Sequence, residues 1–282
     1  MLPPTFTSFD GTSIRCWAAA PTSVRPAAKI LLVHGRGTHS DSLPYRNLRE
    51  YLTGRGFAAY GFDLRGHGRS GGRRSFVNQW RDFREDLRLF VKAVEVDGAS
   101  VPLFLLGMSL GGLIAVNYAV YHPEGIQGLI AAAPALDASG VPAWLRKLNV
   151  VLSKVFPTLA LKPGLDEAWL TRDQQALQEF VRDPLRQEKM TLRLGSETIA
   201  AISGTLERLP LLKLPLLVLH GSADAIVPPV AGERLYQLSG SADKEYLVYE
   251  GAYHVLFMET NREQVFEDIS RWVMKRLGPT CG

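Results

Sequence analysis

An apolar run of strand length, Pro102-Leu103-Phe104-Leu105-Leu106, ends at Gly107-Met108-Ser109-Leu110-Gly111-Gly112 and passes directly into the apolar-spaced segment Leu113 to Val120. Strand, G-x-S-x-G and helix in immediate succession demand a turn too sharp for a side chain on either glycine. The turn forces the serine into a strained backbone conformation and lifts its hydroxyl clear of the sheet edge. It also aims the next backbone N–H, that of Leu110, at any oxyanion formed there. The pattern is short, and alone it would equally describe a glycine turn with a passenger serine. Its flanks make Ser109 a candidate nucleophile.

The rest of the chain repeats the same rhythm. Lys29 to Val33 reads as a buried strand running into His34-Gly35-Arg36-Gly37, and Tyr45 to Arg55 as a helix stopped by Gly56. Phe57 to Phe62 is a strand, and Asn78 to Val96 carries Trp80, Phe83, Leu87, Phe90, Val91 and Val94 at helical spacing. After the serine turn and its helix, Ile126 to Ala133 is another buried strand. Such alternation implies a mostly parallel central sheet covered by helices on both faces, with ligands outside the carboxyl ends of its strands. A glycine loop after the Lys29–Val33 strand can face its neighbour's end, which makes the N–H of Arg36 the natural second oxyanion donor beside Leu110. Asp63 and His67 sit in a glycine-rich turn and read as structural, with the carboxylate capping backbone amides.

From about residue 137 to 209 the rhythm breaks. No buried strand is evident, and short helical pieces are punctuated by Pro142, Pro157, Pro163-Gly164 and Pro184. The expectation is an inserted helical lid over 137–209, dividing a core into residues 1–136 and 210–282. Its first helix, Val141 to Phe156, places Trp144, Leu145, Leu148, Val151 and Leu152 largely along one side, making them candidate substrate contacts. Arg146, Lys147 and Lys154 fall opposite. A basic amphipathic helix of this kind suits packing over the active site, peripheral membrane contact, or both.

Sheet rhythm resumes at Pro215 to His220, and Asp224 follows that strand. His254 follows the last strand, Glu245 to Tyr249. Ser109, Asp224 and His254 thus lie in loops after strands, in the order Ser…Asp…His expected of a strand–turn–helix nucleophile. The chemistry needs these types together. A serine hydroxyl attacks only when a base takes its proton, His254 is that base, and Asp224 fixes its tautomer. His220 is the rival histidine and Asp137 the rival acid.

Composition narrows the alternatives. The 282 residues carry a formal net charge of only +4, and the arginines Arg65, Arg69, Arg73 and Arg74 are interleaved with glycines rather than aromatics. A solvated loop fits that stretch better than a nucleic-acid site. The two cysteines, Cys16 and Cys281, stand at opposite ends and outline neither a disulfide framework nor a metal site. The N-terminus lacks the pattern of a signal peptide, and no window has the length of a membrane span. The expected location is cytoplasmic, with lid-mediated membrane association left open.

The motifs H-G-R-G-T-H-S (34–40), D-L-R-G-H-G-R-S (63–70), G-M-S-L-G-G (107–112), H-G-S-A-D (220–224) and Y-E-G-A-Y-H-V-L (249–256) resemble those of the α/β-hydrolase fold, and within it the monoacylglycerol lipase and lysophospholipase group. The resemblance implies a serine esterase cleaving single-acyl glycerolipids, monoacylglycerol or lysophospholipid, without metal or organic cofactor and with the lid forming an acyl tunnel. The same triad would also serve a carboxylesterase, thioesterase or acyltransferase on small soluble acyl groups. Two departures stand out. The group often carries Glu after the second glycine of H-G-x-G and a nearby Arg, where this chain has Thr38 and Ser42. The oxyanion loop also holds bulky Arg36 instead of a small residue.

Overall fold

The central strands are continuous apolar runs because both of their faces are covered. The computed structural model describes residues 2–22, 24–164 and 166–277. Its elements in order are β1 (Thr5–Thr7), β2 (Ser13–Ala19), β3 (Lys29–Val33), α1 (Leu43–Gly54), β4 (Ala58–Phe62), α2 (Trp80–Val96), β5 (Leu103–Met108), α3 (Leu110–Tyr121) and β6 (Gly128–Ala132). Then come α4 (Ala143–Val155), β7 (Ala160–Leu161), α5 (Gln174–Val181), β8 (Met190–Thr191), α6 (Leu192–Arg208), β9 (Leu216–Gly221), α7 (Val230–Leu238), β10 (Lys244–Tyr249) and α8 (Arg262–Lys275). Eight strands form one sheet in the order β1-β2-β4-β3-β5-β6-β9-β10, parallel except where β2 meets β1 and β4. This is the α/β-hydrolase fold, with helices on both sides of a mostly parallel sheet.

Alternation along each strand divides the core into two layers. Leu31, Val33 and Leu105 pack with α2, α3, α6 and α7 on one side. Ile30, Leu32, Phe104 and Leu106 pack with α1 and α8 on the other. The register places Gly107 opposite Val33 of β3 and Ala131 of β6. The serine turn therefore emerges in the middle of the sheet, at the carboxyl ends of its parallel strands.

Between β6 and β9 the chain adds no strand to this sheet. It forms α4, a two-stranded antiparallel pair of β7 and β8, α5 and α6. Here the structure corrects the expectation of only short helical pieces, since α6 runs for 17 residues. Its Gly195 serves a close approach: a Cβ there would lie 3.3 Å from the Asn149 amide of α4. The N-terminal strand β1 was also unforeseen; three residues, none of them fully buried, carry no periodicity to read.

Arg65 departs from the reading of its stretch as a solvated arginine loop. Its neighbours Arg69, Arg73 and Arg74 are exposed, but Arg65 is buried. Its Nε and Nη2 donate to the two oxygens of Asp86, both at 2.7 Å, and Nη1 donates to Asp10 at 2.7 Å. This fork fastens the loop after β4 to α2 and to the β1–β2 turn. Removing one member of a buried ion pair leaves the other uncompensated. Asp86→Ala is expected to lower the unfolding free energy by about 3–5 kcal/mol, read as a shift of the urea midpoint. A midpoint within error of wild type would contradict the structural weight given to the pair.

Candidate active site

The turn at Ser109 has the strain its sequence demands. Ser109 sits at φ 57°, ψ −120°, a conformation that side-chain-bearing residues rarely adopt. A Cβ on Gly107 would overlap the carbonyl of Gly111, and one on Gly111 would overlap the carbonyls of Val33 and His34. The two glycines are thus the condition for β3, β5 and α3 to meet at this point. Ser109 N–H donates to Ala132 O at 3.0 Å and Ala135 N–H donates to Ser109 O at 3.0 Å, which holds the turn between β6 and the loop after it.

Ser109, His254 and Asp224, separated in sequence, are joined by hydrogen bonds. Ser109 Oγ–H donates to His254 Nε2 at 2.9 Å, and His254 Nδ1–H donates to Asp224 Oδ2 at 2.7 Å. Asp224 is buried, and its other oxygen accepts the N–H groups of Ile226 and Val227, both at 2.9 Å. Burial alone would raise its pKa. The adjacent His254, hydrogen bonds from His220 and His254, and the Val227 amide outweigh it and hold the carboxyl well below the usual carboxylate range. An ionised Asp224 accepts only, so the His254 proton resides on Nδ1 and Nε2 presents its lone pair to the serine. The arrangement can take a proton from Ser109 and hand it on.

The rivals are placed elsewhere. His220 Nε2–H donates to Val227 O at 2.9 Å and lies 3.3 Å from Asp224 Oδ2, so it braces the aspartate loop from behind. Asp137 pairs with Arg234 at 3.0 Å and with Ser139, at the start of the inserted segment. Asp63 takes hydrogen bonds from Ser40 N (2.8 Å), Ser40 Oγ (2.7 Å) and Arg69 N (2.7 Å), and so ties the loop after β4 to the loop after β3.

The glycine loop after β3 runs against the serine, since a Cβ on Gly35 would lie 3.3 Å from Ser109 Cβ. Tyr45 accepts Gly35 N–H at 2.8 Å. His34 Nε2 accepts Leu64 N–H at 2.8 Å while its Nδ1–H donates to Gly35 O at 2.8 Å. Arg36 stands in this loop, and Leu110 opens α3, where helical N–H groups have no intrahelical acceptor. Thr38 donates to Ser42 at 2.7 Å, so a buried neutral pair occupies the two departing positions.

A cavity of about 100 Å³ opens above the serine, lined in part by Arg36, Thr38, Ser109, Leu170, Arg186 and Gln187. None of Trp144, Leu145, Leu148, Val151 and Leu152 lines it. This corrects their expected place: α4 turns Trp144 (67% exposed), Leu145, Leu148 and Val151 to solvent and leaves Leu152 half-buried. Amphipathic spacing identifies an apolar face without saying what covers it. Part of the cavity wall comes instead from Lys162, Pro163, Leu170 and the run Arg186 to Glu188, which stand outside any helix or strand and offer no periodic signal. Cys281 lies outside the described residues, and Cys16 is buried with a free thiol.

His34 and His67 are fully buried, and burial pushes them down to about 4 and about 3 respectively. In the unfolded chain both titrate near 6.5. Below that pH the unfolded state binds protons that the folded state refuses, so stability falls with acid. Each histidine should cost on the order of 3 kcal/mol as pH drops from about 6.5 to about 4. Urea midpoints across this window should fall steeply, less so for His67→Gln; a flat profile would contradict the assignment.

A family model described as serine aminopeptidase, S33 (Hydrolase_4) matches residues 24–261. Monoglyceride lipase of Homo sapiens is 34% identical over 278 residues, covering 97% of this chain and 90% of that protein. Monoacylglycerol lipase of Mycolicibacterium smegmatis is 30% identical over 254 residues, covering 89% and 90%. The crystal structure of Paleococcus ferrophilus monoacylglycerol lipase superposes with a TM-score of 0.84 at 30% identity, over 93% of this chain and 99% of that one. A soluble variant of Saccharomyces cerevisiae monoglyceride lipase in complex with a substrate analog gives 0.86 at 25% identity, over 98% and 96%. The strained serine turn, its hydrogen-bonded partners and these likenesses agree: the chain belongs to the Hydrolase_4 family of α/β-hydrolase serine hydrolases, in its monoacylglycerol lipase group.

Proposed function

We propose that this protein hydrolyses the carboxylic ester of single-acyl glycerolipids through an acyl-enzyme, with Ser109 as nucleophile, His254 as base and acid, and Asp224 as its orienting carboxylate. The observation that carries the reading is the unbroken hydrogen-bond chain from Ser109 through His254 to Asp224 at a cavity floor. Ser109 Oγ attacks the ester carbonyl as its proton passes to His254 Nε2. The oxyanion is received by the N–H groups of Arg36 and Leu110. The acyl C–O bond then breaks, and the departing alkoxide takes the proton from His254. Water attacks the acyl-enzyme, giving one proton to His254, and the fatty acid leaves as Ser109 Oγ recovers that proton.

The inserted segment supports a lid role in two unlike halves. Residues 166–191 are fastened to the core: Gln187 N–H donates to Gly37 O at 2.8 Å, Val255 N–H to Leu170 O at 2.8 Å, and Arg172 pairs with buried Glu259 at 2.9 Å. The α4 region instead exposes Trp144, Leu145, Leu148, Val151, Val155 and Phe156 together. A contiguous apolar face of this kind suits contact with a lipid surface. No helix among the described residues is long and apolar enough to cross a membrane. The small cavity is the one observation favouring short acyl groups, because about 100 Å³ does not hold a long chain.

Wild type should hydrolyse p-nitrophenyl esters with a maximum at medium or long chains, and Ser109→Ala should lower kcat by about 10⁴-fold or more. A maximum at two to four carbons would install the small-acyl esterase instead. Trp144→Ser combined with Leu148→Ser should weaken co-sedimentation with phosphatidylcholine vesicles at least tenfold. Unaltered vesicle binding would remove α4 from the membrane contact.

A further inference from the structure

Three residues lining the cavity above Ser109 carry buried polar atoms without a partner in the protein. Arg36 Nη1, Arg186 Nε and Gln187 Oε1 are all buried without a hydrogen-bond partner, and all three residues line the same cavity. Buried polar atoms are rarely left so, and three of the eight such atoms among the described residues belong to residues lining this one cavity, which points to a ligand that supplies their partners. Two are donors on cations and the third is an acceptor.

Two of the surrounding ion pairs are internal to the cavity wall. Lys162 pairs with Glu188 at 3.0 Å, and Arg186 pairs through Nη2 with Glu167 at 2.7 Å while stacking on Phe180. Asp166 caps the N–H of Ala168 at the exposed rim. Among the described residues no carboxylate pairs with Arg36. Thr38 and Ser42, where the resembled family often carries Glu and Arg, form a neutral pair. Burial, then the like charge of Arg186, push the Arg36 guanidinium down, yet arginine does not surrender its proton. The lining balances three cations against the carboxylates of Asp166, Glu167 and Glu188, yet the Arg36 guanidinium itself is left without an ion-pair partner beside the nucleophile.

We infer that the alcohol half of the substrate carries a phosphate together with a free hydroxyl, as in a single-acyl glycerol phosphate, with the phosphate held by Arg36 and Arg186 and the hydroxyl donating to Gln187 Oε1. This deepens the proposed function and rests on it. A fatty acyl group is apolar, so unpartnered guanidinium and amide groups beside Ser109 belong to the leaving alcohol. Guanidinium and phosphate form short, charge-assisted and often bidentate hydrogen bonds, strongest where water is excluded. The reaction is the one already written: the acyl C–O bond breaks, glycerol phosphate leaves with the His254 proton, and the P–O bonds are untouched.

The test compares kcat/KM for 1-oleoylglycerol and 1-oleoylglycerol 3-phosphate in wild type, Arg36→Met and Arg186→Met. Wild type should favour the phosphorylated substrate at least tenfold, and each variant should cut that ratio at least tenfold. The ratio uses each variant's own turnover of the neutral substrate, so a general loss of activity leaves it unmoved. Glycerol 3-phosphate should also inhibit p-nitrophenyl butyrate hydrolysis competitively, at least tenfold more weakly in Arg36→Met, with glycerol inhibiting neither enzyme comparably. Equal use of both substrates, or a ratio that survives both substitutions, would overturn the inference. So would inhibition by inorganic phosphate as strong as that by glycerol 3-phosphate, which would mark a site for the free anion. If neither oleoyl substrate is cleaved in a Ser109-dependent way, the proposed function itself fails.

Discussion

Steric contact between backbones at Gly107, Gly111 and the end of β3 is the constraint on which the rest depends. The carbonyls of Val33 and His34 press against Gly111, and that of Gly111 presses against Gly107. With no Cβ to part them, β3, β5 and α3 converge, and the residue between the glycines is forced to φ 57°. Strain of this kind persists only where the surroundings over-determine it. Here they do so twice over, through buried strands on both sides of β5 and hydrogen bonds from the turn to Ala132 and Ala135.

Around that point the neighbouring loops are held by neutral or ionised groups chosen by burial. His34 must accept from Leu64 on one ring nitrogen and donate to Gly35 on the other, which only a neutral imidazole can do. Asp63 serves the opposite need. Its ionised carboxylate gathers N–H and O–H donors from Ser40 and Arg69, and so joins two loops that meet nowhere else in sequence. The catalytic geometry therefore inherits its precision from groups that take no part in the chemistry.

The fold was readable wherever the chain obeys a period. Strands such as Lys29–Val33 and helices such as Trp80–Val96 stand where apolar spacing puts them, because burial on a sheet or helix face leaves that imprint. The strand ends that carry Ser109, Asp224 and His254 were readable because each follows an apolar run, and the structure joins the three by hydrogen bonds. The cavity wall was not. Arg186 and Gln187 belong to an irregular stretch whose position depends on contacts with Gly37 and Gly66, more than a hundred residues upstream. The five residues on α4 teach the converse, since helical spacing marks an apolar face but not the surface that covers it.

Residues 166–191 touch both halves of the machinery. Gln187 holds the glycine loop through Gly37, and Trp169 and Leu170 accept the backbone N–H groups of His254 and Val255. A fluctuation that frees this stretch slackens the glycine loop and the histidine loop together. The sheet can stay folded while that happens, because local openings cost less than global unfolding. The fraction of molecules competent at any instant then depends on the local stability of this stretch. Affinity and turnover both carry that fraction as a multiplier. A substrate that binds under the segment and steadies it would raise the multiplier, and so take part in assembling the site that consumes it.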